Sequence, residues 1–174
     1  MAETIEVLLS QETVEKRICE IAAEIDRDFA GKSVTLLCTL KGAVFFTCEL
    51  AKHLTIPTYI DFIQTVSYSG TTTTGTVFMK LDVEPEKIKG QNVIIIEDVI
   101  DTGITLTHVK KLIAEREPAV LKVCTLLDKH ECRRVPFEGD YIGFAIGKQF
   151  VVGYGLDVDQ RYRNLPYVGI LHQD

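Results

Sequence analysis

The feature of this 174-residue chain that most constrains its fold is residues 93–96, Val-Ile-Ile-Ile. This run is apolar at every position and lacks the alternation of a half-exposed strand, which is typical of a strand buried on both faces in a parallel sheet covered by helices. Polar residues follow at once in 97–105, and apolar residues then recur at helical spacing in 106–113. The pattern predicts a strand, a short polar loop and a helix.

The predicted loop has the chemistry of an anion site. It contains Asp101, Thr102, Gly103 and Thr105, and in a parallel sheet it lies at the carboxyl end of the strand, where ligands bind. Small residues leave backbone N–H groups accessible, and the following helix adds the positive end of its dipole, so a phosphate is the natural ligand. Helix capping alone accounts for one or two of these residues.

Two adjacent carboxylates, Glu97 and Asp98, come directly after the buried run. Uncompensated charge at the end of a buried strand is costly, so we expect these side chains to meet a polyhydroxylated ligand or a metal ion. A phosphate loop beside a carboxylate pair suggests a sugar phosphate. The acids would bind ribose hydroxyls, and the loop would bind the 5′-phosphate.

Residues 96–105, Ile-Glu-Asp-Val-Ile-Asp-Thr-Gly-Ile-Thr, closely resemble the phosphoribosyl-pyrophosphate motif of type I phosphoribosyltransferases. The chain outside this motif resembles the hypoxanthine-guanine branch over nearly its whole length. The resemblance implies an α/β fold with a central, mostly parallel sheet flanked by helices, and a small hood formed by segments near the termini. We expect one domain over residues 1–174, because this length suits a single core.

The resemblance also implies a reaction. The 5-phosphoribosyl group of phosphoribosyl pyrophosphate would move to N9 of hypoxanthine or guanine, giving IMP or GMP and pyrophosphate, with Mg²⁺ as cofactor. Asp101 is the expected general base at the purine N7. The expected metal ligands are Glu97, Asp98 and Asp157. The expected substrate-binding residues are Lys41, Gly42, Ser67, Tyr68, Glu97, Asp98, Thr102, Gly103, Ile104, Thr105, Lys129, Phe150, Val151, Asp157 and Arg163.

The pyrophosphate leaving group would bind two segments. Lys41-Gly42 follows an apolar strand over residues 34–40 and resembles the pyrophosphate loop of the family, which implies a cis peptide between Leu40 and Lys41. Arg163 lies in a segment that resembles the second pyrophosphate contact. The backbone of Gly103 and its neighbours still suits a phosphate, although Ile104 stands where certain relatives have a lysine.

The purine would be recognised by two further segments. The resemblance assigns Lys129 to the 6-oxygen of the purine, and an ammonium there would repel a 6-amino group, which favours hypoxanthine or guanine over adenine. Phe150 would stack on the purine, although a core position is the commoner fate of phenylalanine. The main chains of Val151 and Asp157 would read the edge of the base.

Residues 67–75 are small, polar and nearly uncharged. Such a segment cannot pack a core, so it is either an ordinary hairpin tip or a lid that closes over a reactive centre and excludes water. Ser67-Tyr68 resembles the start of the catalytic flap of the family, which favours the lid.

Composition limits the partners. The net charge of −6 argues against a nucleic-acid binder held by general electrostatics, and no apolar stretch is long enough to span a membrane. The five cysteines form no C-x-x-C pair and the four histidines have no zinc spacing. We therefore expect a cytoplasmic protein with reduced thiols. The resemblance implies a homo-oligomer, a dimer or a tetramer.

Three other interpretations remain open. A same-fold regulator that senses nucleotides and binds RNA would share the phosphate loop but needs a basic face. An enzyme for xanthine, adenine or orotate would share the chemistry, and Lys129 argues only against adenine. A nucleotide-binding module without catalysis would leave Asp101 and the polar segment unexplained. A Rossmann dehydrogenase is disfavoured, because no G-x-G-x-x-G follows a strand.

Overall fold

The computed structural model describes residues 3–67 and 77–173. Two short 3₁₀ turns, Pro85–Lys87 and His130–Cys132, lie between the main elements. In chain order, the strands and helices are β1 (Glu3–Leu9), α1 (Gln11–Asp28), β2 (Val34–Thr39), α2 (Val44–His53), β3 (Thr58–Ser67), β4 (Val77–Leu81), β5 (Asn92–Ile100), α3 (Ile104–Ala114), β6 (Val120–Asp128), β7 (Tyr141–Ala145), β8 (Val151–Val152) and β9 (Val168–Gln173).

The main sheet has the strand order β4-β3-β2-β5-β6-β7. Its neighbours pair in parallel from β3 to β7, and only β4 is antiparallel, at the edge beside β3. Helices α1 and α2 pack on one face of the sheet, over Leu36 and Ile94, and α3 packs on the other face, over Val93 and Ile95. The predicted mostly parallel sheet flanked by helices is therefore confirmed.

A second, three-stranded sheet has the order β1-β9-β8 and is antiparallel throughout. It joins the two ends of the described chain, since Glu3 pairs with Gln173. This small sheet is the predicted hood, and it brings the segment after β8 over the carboxyl edge of the main sheet. No helix among residues 3–67 and 77–173 combines the length and apolar character needed to cross a bilayer.

The central strand is longer than the sequence predicted. We expected the strand to stop at Ile96, with Glu97 and Asp98 in a loop, but β5 continues to Ile100. Its extension is held by parallel pairing with β6, in which Glu97 stands opposite Thr125. The two acids therefore lie on a strand, and the loop shortens to residues 101–103.

Candidate active site

The turn between β5 and α3, residues 101–103, has the geometry of an anion cradle. Gly103 precedes the helix at φ +80, in the left-handed region, and it has no side chain to cap the helix. The first helical N–H, that of Ile104, makes a long hydrogen bond of 3.4 Å to Thr102 Oγ1. The first N–H groups of a helix have no partner within the helix. A Cβ on Gly103 would lie 3.0 Å from the Cβ of Phe137, so space as well as conformation favours glycine.

A cleft of about 200 Å³ opens beside this turn. Five predicted site residues border it, namely Glu97, Asp101, Thr102, Gly103 and Thr105. Ile104 is not among its lining residues. The other lining residues, which were not predicted as site residues, are Thr39, Leu40, Thr65, Val99, Ile100 and Leu106.

The side chains of the two acids on β5 share a hydrogen bond, and their negative charges oppose one another. Burial raises the pKa of Glu97 well above its usual range, and the neighbouring Asp98 carboxylate raises that pKa further. Burial also raises the pKa of Asp98, although a hydrogen bond with the Glu97 side chain, backbone N–H groups and the charge of Arg163 lower it. The pair therefore holds more negative charge than the protein compensates, which is the condition a cation relieves. Carboxylate oxygens are the ligands that Mg²⁺ prefers, so this donor set fits that ion.

The Leu40–Lys41 peptide is cis, as the resemblance implied. Lys41 is exposed, while Gly42 is buried against Asp98. A Cβ on Gly42 would overlap the Asp98 carboxylate, so that only glycine allows this approach. The predicted pyrophosphate loop thus lies directly on the acidic pair.

Lys41, Asp157 and Arg163 meet around one further residue, Gln160. Its side-chain carbonyl oxygen accepts hydrogen bonds from Lys41 Nζ at 2.9 Å and from Arg163 at 3.5 Å. Asp157 pairs with Arg163 at 2.7 Å and accepts the backbone N–H of Gln160 at 2.8 Å. Both carboxylate oxygens of Asp157 are therefore engaged within the protein, so Asp157 must exchange or share these contacts to bind a metal.

Arg163 carries an unsatisfied donor. Its Nη1 donates to the carbonyl of Gly155 at 2.6 Å and its Nη2 pairs with Asp157, but its buried Nε has no hydrogen-bond partner among the described residues. A buried N–H without an acceptor is costly in a folded protein. An anion at this position would supply the acceptor.

The predicted base contacts lie on two elements. Lys129 follows β6, and its N–H donates to the carbonyl of Ile100 at 2.9 Å, which fixes it beside the β5–α3 turn. The thiol of Cys132 lies close to both Asp101 and Lys129. Burial and contact with the Asp101 carboxylate raise its pKa, and the charge of Lys129 lowers it. Phe150 is 53% exposed, so its ring is available to a ligand and the core alternative is wrong. Val151 is buried and pairs with β9.

Residues 4–159 match the family model of the phosphoribosyl transferase domain. The chain belongs to this phosphoribosyltransferase family. It is 43% identical over 169 residues to the hypoxanthine-guanine phosphoribosyltransferase of Streptococcus pneumoniae, covering 97% of this chain and 93% of that protein. It is 42% identical over 170 residues to the hypoxanthine-guanine-xanthine phosphoribosyltransferase of Tritrichomonas foetus, covering 96% of this chain and 91% of that one.

A solved structure agrees with the fold of this phosphoribosyltransferase. A crystal structure of a hypoxanthine-guanine phosphoribosyltransferase from Bacillus anthracis superposes with a TM-score of 0.91 at 39% identity, covering 99% of this chain and all of that one. At this identity the likeness extends to the family as well as the fold. The resemblance read from residues 96–105 is therefore confirmed.

One predicted part of the phosphoribosyltransferase site lies outside the described residues. Ser67 is the last residue of β3, and Tyr68 and the rest of the proposed lid fall in the segment 68–76. The lid therefore stays a prediction from the sequence.

Sequence reasoning also missed residues that the fold brings to the site. Thr39 donates its hydroxyl to the carbonyl of Ile96 at 2.7 Å at the wall of the cleft, and Gln160 and Arg133 reach the site through long-range contacts. Gln160 lies 119 positions from Lys41, and no local pattern predicts such a pairing. The only signal was the proximity of Gln160 to two predicted site residues in the chain, Asp157 and Arg163.

Proposed function

We infer that this phosphoribosyltransferase is a purine salvage enzyme that transfers 5-phosphoribosyl from phosphoribosyl pyrophosphate to N9 of hypoxanthine or guanine. The products are IMP or GMP and pyrophosphate. The observation that carries this inference is the cleft where Glu97, Asp101 and the N-terminus of α3 meet, in a chain whose relatives over almost its whole length are named for this reaction.

The first role of the site is to hold ribose 5-phosphate. The N–H groups of residues 101–105, with the hydroxyls of Thr102 and Thr105, bind the 5′-phosphate at the start of α3. The backbone of Ile104 contributes to this cradle, and its side chain does not. Glu97 faces the same cleft and accepts hydrogen bonds from ribose hydroxyls. Its negative charge also stabilises the positive charge that develops on the ribose when the C1–O bond breaks.

The second role is to stabilise the leaving group. Lys41 and Arg163 donate to one oxygen, that of Gln160, and a pyrophosphate oxygen there would receive the same two donors. The orphaned Nε of Arg163 and the backbone of Gly42 add further donors. Mg²⁺ bound by Glu97, Asp98 and Asp157 would neutralise part of the diphosphate charge.

The third role is to select and activate the purine. Asp101 accepts a proton from N7 as N9 bonds to the ribose. Lys129 donates to the 6-oxygen, the exposed ring of Phe150 stacks on the base, and the main chains of Val151 and Asp157 read its edge. Ser67 and Tyr68 begin a lid that keeps water from the cationic ribose.

We also propose that the protein is a cytoplasmic homo-oligomer, a dimer or a tetramer. Its five cysteines are all free, which suits a reducing compartment. Phe45, Ile60 and Phe62 on α2 and β3 are 44%, 43% and 37% exposed, and apolar surface of this kind is typical of an interface between protein chains. The net charge of −6 gives no support to nucleic acid as a partner.

The relatives named above give no support to an RNA-binding regulator or to an enzyme that prefers xanthine, although the name of the Tritrichomonas foetus relative includes xanthine beside hypoxanthine and guanine. The test is direct. Purified protein receives phosphoribosyl pyrophosphate, Mg²⁺ and hypoxanthine, and IMP and pyrophosphate are quantified together. We expect both products in equal amounts. Absence of IMP at any enzyme concentration would overturn the inference.

A further inference from the structure

Four successive carbonyl groups, those of residues 100–103, are all hydrogen-bonded to the protein. The segment that follows β6 supplies most of the donors, and the first turn of α3 supplies the rest. The donors are Lys129 N and Arg133 Nη1 to Ile100, at 2.9 and 2.8 Å; Arg133 Nη1 to Asp101, at 2.6 Å; Arg134 N and Val135 N to Thr102, at 3.0 and 3.4 Å; and Thr107 N and Oγ1 to Gly103, at 3.0 and 2.8 Å.

These carbonyl contacts decide where the N–H groups of the turn point. A trans peptide is planar, so its C=O and the N–H of the next residue point in opposite directions. When the carbonyls of Asp101, Thr102 and Gly103 are held by the protein, the N–H groups of residues 102–104 turn the other way. Thr102 and Gly103 line the cleft, so these N–H groups lie at the proposed phosphate cradle. The N–H of Ile104 makes only a long bond of 3.4 Å to Thr102 Oγ1, which a phosphate oxygen would replace.

Arg133 is the only side chain among the described residues outside the turn and α3 for which a hydrogen bond to one of these carbonyls is found. Its Nη1 lies within hydrogen-bond distance of the carbonyls of both Ile100 and Asp101, and its Nε donates to the carbonyl of Phe137 at 3.0 Å. Its Nη2 pairs with Asp128, and the two side chains are only 10% and 6% exposed. A planar guanidinium can serve these acceptors together, whereas an ammonium cannot.

We propose that Arg133 is a positioning residue for the reaction. This proposal rests on the proposed function. In it, Arg133 orients the 101–103 turn so that the N–H groups of the turn bind the 5′-phosphate and Asp101 meets the purine. Arg133 touches no substrate itself. The same segment carries Lys129, so Arg133 also fixes the phosphate site relative to the proposed base contact.

The alternative is that Arg133 only neutralises the buried charge of Asp128. A matched residue separates the two roles. Like Arg133, Arg116 pairs with a carboxylate and donates to a carbonyl. It makes two hydrogen bonds to Asp82, at 2.7 and 2.8 Å, and one to the carbonyl of Val83, at 2.9 Å. Its side chain is 15% exposed, and it lies beyond the far end of α3 from the turn. Arg116→Lys therefore removes an equivalent guanidinium without touching the site.

The experiment compares Arg133→Lys with Arg116→Lys and wild type. Each protein is assayed for kcat, for the KM of phosphoribosyl pyrophosphate and of hypoxanthine, for the Kd of IMP by calorimetry, and for Tm. We expect Arg133→Lys to raise the Kd of IMP about tenfold and to lower kcat/KM for phosphoribosyl pyrophosphate about 10- to 100-fold, because a 1 Å misplacement of a binding group costs about that much. The KM of hypoxanthine should change less than threefold. Arg133→Lys should lose more Tm than Arg116→Lys, because Asp128 is 6% exposed and Asp82 is 43% exposed.

The proposal would be overturned if Arg133→Lys and Arg116→Lys agreed within twofold in kcat, in both KM values and in the Kd of IMP. If Arg133→Lys does not fold, Asp128→Asn with Arg133→Gln leaves no buried charge unpaired, and it must show the same weakened IMP binding. Unchanged IMP binding by that double variant contradicts the proposal. If wild type binds IMP but turns over no base, the proposed function fails, and the Kd values alone still decide whether Arg133 positions the turn.

Discussion

The main chain of Gly155 packs directly on the carbonyl group of Gly42. Gly155 has φ +102, and a Cβ there would overlap the Gly42 oxygen. Because Gly42 in turn lies on the Asp98 carboxylate, the segment after β8, the proposed pyrophosphate loop and the acidic pair form one continuous stack. The position of the pyrophosphate loop therefore depends on a residue 113 positions away in the chain.

Substitution of Gly155 should damage the leaving-group site. In Gly155→Ala the new methyl group must displace the Gly42 carbonyl, so we expect the KM of phosphoribosyl pyrophosphate to rise at least about tenfold. Gly90→Ala is the matched control, since Gly90 also has positive φ, at +69, but its Cβ would meet nothing within 4 Å. It should cost about 1–2 kcal/mol of stability through backbone strain alone and leave the kinetics unchanged. An equal KM of phosphoribosyl pyrophosphate in the two variants would show that contact with Gly155 does not position the pyrophosphate loop.

Glu97 should cost the folded protein stability at neutral pH. Its pKa is raised above the ordinary value of 4.5, so the folded state binds protons more tightly than the unfolded state. The penalty is absent in acid and grows as the pH rises through the raised pKa. Glu97→Gln should therefore have a higher Tm than wild type at pH 8, by about 2–4 °C for each kcal/mol recovered, and the difference should shrink toward pH 4.5. It should also lose activity.

Glu84→Gln is the control for this stability measurement, because Glu84 is exposed and precedes a 3₁₀ turn without capping it. It should leave Tm unchanged at both pH values. Added Mg²⁺ with pyrophosphate should raise the Tm of wild type more than that of Glu97→Gln. A Glu97→Gln protein that is less stable than wild type at pH 8 would contradict the charge argument.

The sequence predicted the individual elements of the site better than the contacts between distant segments that assemble them. The apolar run at 93–96 revealed the buried central strand, but the continuation of β5 through Glu97 to Ile100 depends on pairing with Thr125 in β6, which no local pattern contains. In α2, Phe46 lies four residues before Leu50 and therefore on the same face, and packing against the sheet buries Phe46 and leaves Phe45 44% exposed. Arg133 and Gln160 were missed for a similar reason, since their partners at the site belong to distant segments.

Lys129 should determine the choice between 6-oxo and 6-amino purines. Lys129→Met removes the donor to the 6-oxygen, so kcat/KM for hypoxanthine should fall about 10- to 100-fold, while the low activity with adenine should not fall. Lys148→Met, which removes an exposed lysine that is 66% accessible, controls for the loss of one positive charge. A parallel fall for both bases would show that Lys129 acts on something other than the 6-position.

The most direct test of the account is pyrophosphate release from phosphoribosyl pyrophosphate and Mg²⁺ with hypoxanthine, guanine, xanthine and adenine offered separately, to wild type and to Asp101→Ala. We predict turnover of hypoxanthine and guanine by wild type, and a fall in kcat of about 10²- to 10⁴-fold in the variant, the usual contribution of a general base. Turnover of xanthine or adenine alone would contradict the base site. No turnover with any base would contradict the enzymatic account itself.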